Sequence, residues 1–214
     1  MYNYIFFDLD GTLTDPGEGI TNSVAHALRR FGIEPPPRQE LYSFIGPPLK
    51  DSFAKYYGMN EDECTLAVKY YREYYADRGI FENELYEGVP ALLSSIRERG
   101  KSIVLATSKP DVFAEKILEH FGLIKYFDFV AGAAMDETRT KKDEVIAYAL
   151  EKCRLAGKQN EILMVGDRKH DVLGAAAHGI DALGVTFGYG SRDELTAASA
   201  KYLADTPDEI LKFI

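Results

Sequence analysis

Five short apolar runs limit the folds open to this chain: Tyr2 to Asp8, Ser102 to Ala106, Phe127 to Ala131, Ile162 to Val165 and Ala182 to Phe187. A short continuous apolar run is the mark of a strand covered on both faces. From Gly88 onward, stretches of helical period separate them. Gly88-Val89-Pro90 opens a helix with Leu92, Leu93 and Ile96 inward; Pro110 opens another with Phe113, Ile117, Leu118 and Phe121. Val145, Ile146, Ala149 and Leu150 mark a third, from Lys142 to Cys153, and a fourth runs from Asp171 to His178. Regular strand–helix alternation predicts an α/β fold: a doubly wound parallel sheet with helices on both faces. Tyr202-Leu203 is expected as an edge strand. Ser191 with Glu194, and Thr206-Pro207 with Glu209, are expected as capped helix starts.

The alternation is interrupted just after the first strand. Between Gly17 and Gly79 only helical periods occur: Ile20, Val24, Ala27, Leu28 and Phe31 first, then pieces from Gln39 to Phe44 and from Leu49 to Tyr57. Asn60 with Glu63 forms a capping pair for a last helix, whose buried stripe is Cys64, Ala67, Val68, Tyr71 and Tyr75. A helical insertion into a parallel sheet predicts two domains: a core of residues 1–15 and 83–214, and a helical cap of residues 16–82.

Composition narrows the function. The 214 residues are 46% hydrophobic and 28% charged, enough to bury a core. A net charge of -9 argues against nucleic acid as a partner, so an anionic substrate has to be met by local cations or a metal. Cys64 and Cys153 match no metal spacing and read as reduced thiols. No apolar run reaches the ~20 residues of a membrane span, and Met1 leads almost directly into a strand without a signal-peptide pattern. Cytoplasm is the expected compartment, with no membrane partner.

In an open parallel sheet, ligands bind at the carboxyl ends of the strands. Asp8 and Asp10 follow the first run, two apart and so on one side of an extended chain, and Gly11 then allows a sharp turn. Thr107, Ser108 and Lys109 follow the second run; Gly166, Asp167 and, four on, Asp171 follow the fourth. Lys141 and Lys142 open the helix before that fourth run. Carboxylates of this kind hold a hard divalent cation, while a hydroxyl and an ammonium bind phosphate oxygens. An aspartate is also a competent nucleophile toward phosphorus.

The motifs Asp8-Leu9-Asp10-Gly11-Thr12-Leu13, Ala106-Thr107-Ser108-Lys109, a lysine at 141 or 142, and Gly166-Asp167-Arg168-Lys169-His170-Asp171 stand in one order, each after its own strand. The chain resembles, essentially end to end, the haloacid dehalogenase superfamily, in its phosphoglycolate phosphatase-like branch with a helical cap on a Rossmann-like core. The resemblance implies that Asp8 attacks phosphorus and that Asp10 is the acid and then the base. It implies that Thr107, Ser108 and a lysine hold the phosphoryl group, that Asp8, Asp10 (through its carbonyl) and Asp167 serve Mg²⁺, and that Asp171 serves it through water or pairs with the lysine. Relatives often carry Lys-Pro at the third motif. Here Thr140-Lys141-Lys142-Asp143 stands instead, and Lys142 has the spacing that best resembles relatives without the proline.

The implied activity is Mg²⁺-dependent hydrolysis of a small phosphate monoester through an aspartyl-phosphate, with phosphoglycolate or a nucleoside 5′-monophosphate as substrate. The partner is a small phosphorylated metabolite, and the chain is expected as a monomer or weak homodimer. A β-phosphoglucomutase-type mutase would share these aspartates and the cap. A dehalogenase would lack the second aspartate, and a non-catalytic phospho-ligand binding protein would have lost Asp8 or Asp10. Gly46 and Lys50, in Gly46-Pro47-Pro48-Leu49-Lys50, are expected to help select the substrate from the cap, or else to form a plain inter-helix turn. The four histidines, His26, His120, His170 and His178, read as structural or surface groups. Tyr70, Tyr71, Tyr74 and Tyr75 read as cap packing, and Gly188-Tyr189-Gly190 as a turn or lid contact.

Overall fold

The computed structural model describes residues 2–136 and 138–214. Its strands are β1 (Tyr4–Phe7), β2 (Thr14–Asp15), β3 (Glu84–Leu85), β4 (Ser102–Pro110), β5 (Phe129–Ala133), β6 (Ile162–Gly166), β7 (Asp181–Val185) and β8 (Tyr202–Ala204). Six of them form one sheet in the order β5-β4-β1-β6-β7-β8, with every pairing parallel; β2 and β3 form a two-stranded sheet of their own. The chain divides into two compact units, Met1–Thr14 with Leu85–Ile214, and Asp15–Glu84. The boundaries fall within β2 and β3, which at two residues each are too short to leave a periodic signal.

The larger unit is the doubly wound sheet. β1 lies in its middle, with Phe7 registered beside Leu105 on one side and Val165 on the other. The pairing carries one residue further, where the Asp8 amide donates to the Val165 carbonyl at 2.9 Å. Alternate strand residues point to one face. Phe6, Val104, Ala106 and Met164 therefore share a cluster with Val145, Ile146 and Ala149 of a helix at Lys142–Lys152 and with Val172 and Ala175 of a helix at Lys169–Ala176. Phe6, Val145 and Met164 of this cluster have no solvent exposure. This packing fixes the carboxyl ends of β1, β4 and β6 side by side.

Several local readings shift. β4 does not end at Ala106 but runs on through Thr107, Ser108 and Lys109 to Pro110, with an irregularity in its pairing to β5 over that stretch. β5 starts two residues later than its apolar run suggests, and the helix expected from Asp171 starts at Lys169. Ser191 accepts from the Glu194 amide at 3.0 Å, but the Glu194 carboxylate turns to Arg168 Nε and the Lys169 amide, so only half of a capping box forms. Thr206 makes no side-chain cap; Glu209 instead accepts from the Asp205 amide at 2.8 Å.

The smaller unit holds helices at Gly17–Arg30, Arg38–Leu41, Leu49–Tyr57 and Glu61–Tyr74, the last continuing as a wider π-type turn over Tyr75–Gly79. Asn60 and Glu63 cap reciprocally, at 3.0 and 2.9 Å. Tyr71 stacks on Tyr75, with centroids 5.2 Å apart. A Cβ on Gly19 would fall 1.9 Å from the Gly79 carbonyl oxygen, so the first helix needs glycine there to meet that turn. Gly46 takes a φ of 103° in the turn before the Leu49–Tyr57 helix that carries Lys50. Among the described residues no helix is long and apolar enough to cross a membrane.

Candidate active site

Six charged side chains are buried among the described residues: Asp8, Asp10, Lys109, Lys142, Asp167 and Asp171. All six come from the carboxyl ends of β1, β4 and β6, or from the first turns of the helices at Lys142 and Lys169. A buried charge is costly unless paired. One oxygen from each of Asp8, Asp167 and Asp171 lies within 4.8 Å of the others.

Lys142 binds this trio together. Its Nζ lies 2.9 Å from Asp8 Oδ1 and 2.7 Å from Asp171 Oδ1, and it donates to the Ala106 carbonyl at 2.9 Å. Lys142 thus gives one hydrogen bond to the backbone and faces two carboxylates as their shared counter-charge. Burial alone would lower its pKa; the Asp171 and Asp8 carboxylates outweigh that and push it up to about 12. Lys141 is exposed at the helix start, which leaves Lys142 as the lysine of the cluster. Asp8 Oδ1 also accepts from the Leu9 amide at 2.8 Å, which anchors one oxygen of that carboxylate.

Asp167 is held from behind. The Tyr189 amide donates to its Oδ2 at 2.7 Å. A Cβ on Gly188 would lie 2.2 Å from the Gly11 carbonyl oxygen, and one on Gly11, at a φ of 79°, would lie 2.2 Å from Asp167 Oδ2. The Gly188-Tyr189-Gly190 turn is therefore part of the site, supplying a backbone donor that no side-chain pattern announces.

The remaining pair stands slightly apart. Lys109 Nζ lies 2.7 Å from Asp10 Oδ2. The Lys109 amide donates to Thr107 Oγ1 at 3.2 Å, and Thr107 is buried while Ser108 is half-buried. The Asp10 carboxylate is thus directed to Lys109 and is not one of the three grouped acids. The sequence places Lys109 among the polar residues expected at the site but gives it no role of its own; the Thr-x-Lys spacing on an extended strand is the available sign of its direction. Gly46 and Lys50 belong to the helical unit.

The donor set suits a divalent cation. Asp167 Oδ1 is buried with no hydrogen-bond partner among the described residues. Four buried carboxylates face two buried ammonium groups, an excess of two negative charges. All the acidic ligands are hard oxygens, as Mg²⁺ prefers. Without a cation Asp167 and Asp171 resist ionisation. Burial, then the Asp171 and Asp8 charges, hold the Asp167 carboxyl well above its usual range. Asp171 is pushed up to about 6, chiefly by burial and in part by Asp8, although Lys142 pulls the other way. A cation competes with protons for carboxylates whose pKa is raised. Apparent Mg²⁺ affinity, read as the ion's effect on thermal unfolding, should therefore fall as pH drops through about 6. An affinity that stays constant as pH crosses about 6 would contradict this.

A family model described as haloacid dehalogenase-like hydrolase matches residues 5–185. A 5′-nucleotidase from Pseudomonas aeruginosa is 46% identical over 95% of this chain and 92% of its own length. A tyrosine-protein kinase, PtkA, from Mycobacterium tuberculosis is 40% identical over 96% of this chain and 70% of its own length. A crystal structure of a predicted phosphatase from Clostridium acetobutylicum superposes with a TM-score of 0.97 at 46% identity, covering 100% of this chain and 98% of that one.

Proposed function

This chain belongs to the haloacid dehalogenase-like hydrolase family as a phosphatase, and from that premise we propose that it hydrolyses a small phosphate monoester with Mg²⁺ as cofactor. The observation that carries the reading is the convergence of all six described buried charges on one edge of the sheet. Asp8, Asp167 and Asp171 would hold the ion, together with the Asp10 carbonyl. When bound, it offsets the charge of the carboxylates and of the phosphoryl group.

The chain's own groups then divide the work. Asp8 has one oxygen anchored on the Leu9 amide and Lys142, and its other oxygen attacks phosphorus to form an aspartyl-phosphate. Asp10 gives a proton to the leaving oxygen and then takes one from the water that opens the intermediate. Lys142 bridges Asp8 and Asp171 and holds the two carboxylates in place. Thr107, and Ser108 beside it on β4, would take the phosphoryl oxygens. Gly46 and Lys50 are the proposed selectors in the helical unit.

A nucleoside 5′-monophosphate is the preferred substrate class, because a relative 46% identical carries the name 5′-nucleotidase; phosphoglycolate follows. The test is phosphate release by the full chain with and without Mg²⁺. The panel is nucleoside 5′-monophosphates, phosphoglycolate and β-glucose 1-phosphate. The expected result is Mg²⁺-dependent release, fastest from a nucleotide. Isomerised sugar phosphate without free phosphate would instead indicate a mutase. Transfer from ATP to protein tyrosine, the activity named for the Mycobacterium relative, would replace hydrolysis as the reading.

A further inference from the structure

We propose that Lys109 is a positioning residue for Asp10, fixing which oxygen of that carboxyl carries the proton during phosphoryl transfer. The inference rests on the reading of Asp10 as acid and base.

The strand itself delivers the lysine. Because β4 remains extended past Ala106, Thr107 and Lys109 point to the same side, and both are buried. The backbone there has little room to move: a Cβ on Gly132 of β5 would lie 2.7 Å from the Lys109 carbonyl oxygen. The Lys109 amide is tied to Thr107 Oγ1, so the residue is fixed at its backbone before its side chain is considered.

The two oxygens of Asp10 have different surroundings. Oδ2 lies 2.7 Å from Lys109 Nζ. Oδ1 is buried and has no hydrogen-bond partner among the described residues. An ammonium has only donors, so a proton on the carboxyl cannot sit on the oxygen facing it. A proton that Asp10 carries therefore sits on Oδ1. In the first step Asp8 forms its bond to phosphorus, the bond from phosphorus to the leaving oxygen breaks, and the Oδ1 proton passes to that oxygen. Asp10 is left anionic, with Lys109 already facing the new charge. In the second step Oδ1 recovers a proton from the water that displaces Asp8 from phosphorus. A neutral residue at 109 would leave the carboxyl free to turn and its charge unmet.

This role predicts a dependence on leaving group that simple phosphate binding does not. The experiment compares wild-type, K109M, K109Q, K109R and D10N as full chains with Mg²⁺. Each is assayed on p-nitrophenyl phosphate, whose leaving group needs no proton, and on a nucleoside 5′-monophosphate, whose alkoxide does. Because kcat/KM reports the steps up to release of the leaving group, it isolates proton donation. K109M and K109Q should lose on the order of 10- to 100-fold in kcat/KM on the nucleotide, a fraction of a general acid's usual contribution, and far less on the aryl ester. KM should change little, and K109R should recover part of the loss.

An equal loss on both esters, or a loss confined to KM, overturns the proposal and makes Lys109 a phosphate ligand. Wild-type behaviour in K109Q overturns it as well. If D10N shows no leaving-group dependence, the reading of Asp10 as the acid fails instead. Should K109M not fold, K109Q and K109R, which keep polar groups in the same space, decide the matter.

Discussion

Asp8→Asn should lose at least about 10⁴-fold in phosphate release while the protein stays folded. The asparagine has the same shape, and its oxygen still accepts from the Leu9 amide and from Lys142. What disappears is the anionic oxygen proposed to attack phosphorus. The stability cost is small, because Lys142 keeps Asp171 and the Ala106 carbonyl, and one of three crowded acids becomes neutral. Phosphate release and mass detection of the phosphorylated chain are the measurements. Turnover near the wild-type rate, or an acyl-phosphate on another residue, would end the assignment.

Lys142→Met should act mainly on stability. The change leaves Asp8, Asp171 and the Ala106 carbonyl without their common donor in a site closed to water. Removing one partner of a buried ion pair typically costs about 3–5 kcal/mol. The urea midpoint of the chelated protein should fall accordingly, and Mg²⁺ should restore part of it by meeting the same carboxylates. The pH window follows from the sign of the shift. The lysine's pKa is raised by folding from 10.5 to about 12. Its contribution is therefore complete below 10.5 and lost as pH rises through about 12. An unchanged urea midpoint in the Met variant at neutral pH would show that Lys142 is not the counter-charge of this site.

Much of the architecture is legible because it depends on local pattern. Asn60 and Glu63 cap each other across three residues, and their signal lies within the segment that uses it. Lys142 is separable from Lys141 by helical phase, since it shares a face with Val145, Ile146 and Ala149. The misses share a different cause. Glu194 follows a capping pattern with Ser191, yet its carboxylate goes to Arg168 and Lys169, which precede it by a whole strand and helix. Polar residues after Ala106 suggested that β4 ended there, but the strand continues and buries Lys109 against Asp10. Tyr189 contributes through its amide, and a backbone donor leaves no trace in residue type. The acids themselves were readable because each sits just past an apolar run; their mutual spacing was not, since it depends on β1 pairing with both β4 and β6.

The position of β1 between those two partners matters while the chain is being made. Asp8 leaves the ribosome long before β6 and the residues Asp167 and Asp171 exist, so the nascent polypeptide lacks the assembled carboxylate trio. On the proposed reading, hydrolysis would require synthesis to have passed Asp171. A chain cut within the helical insertion would leave two fragments, neither of which carries a complete trio.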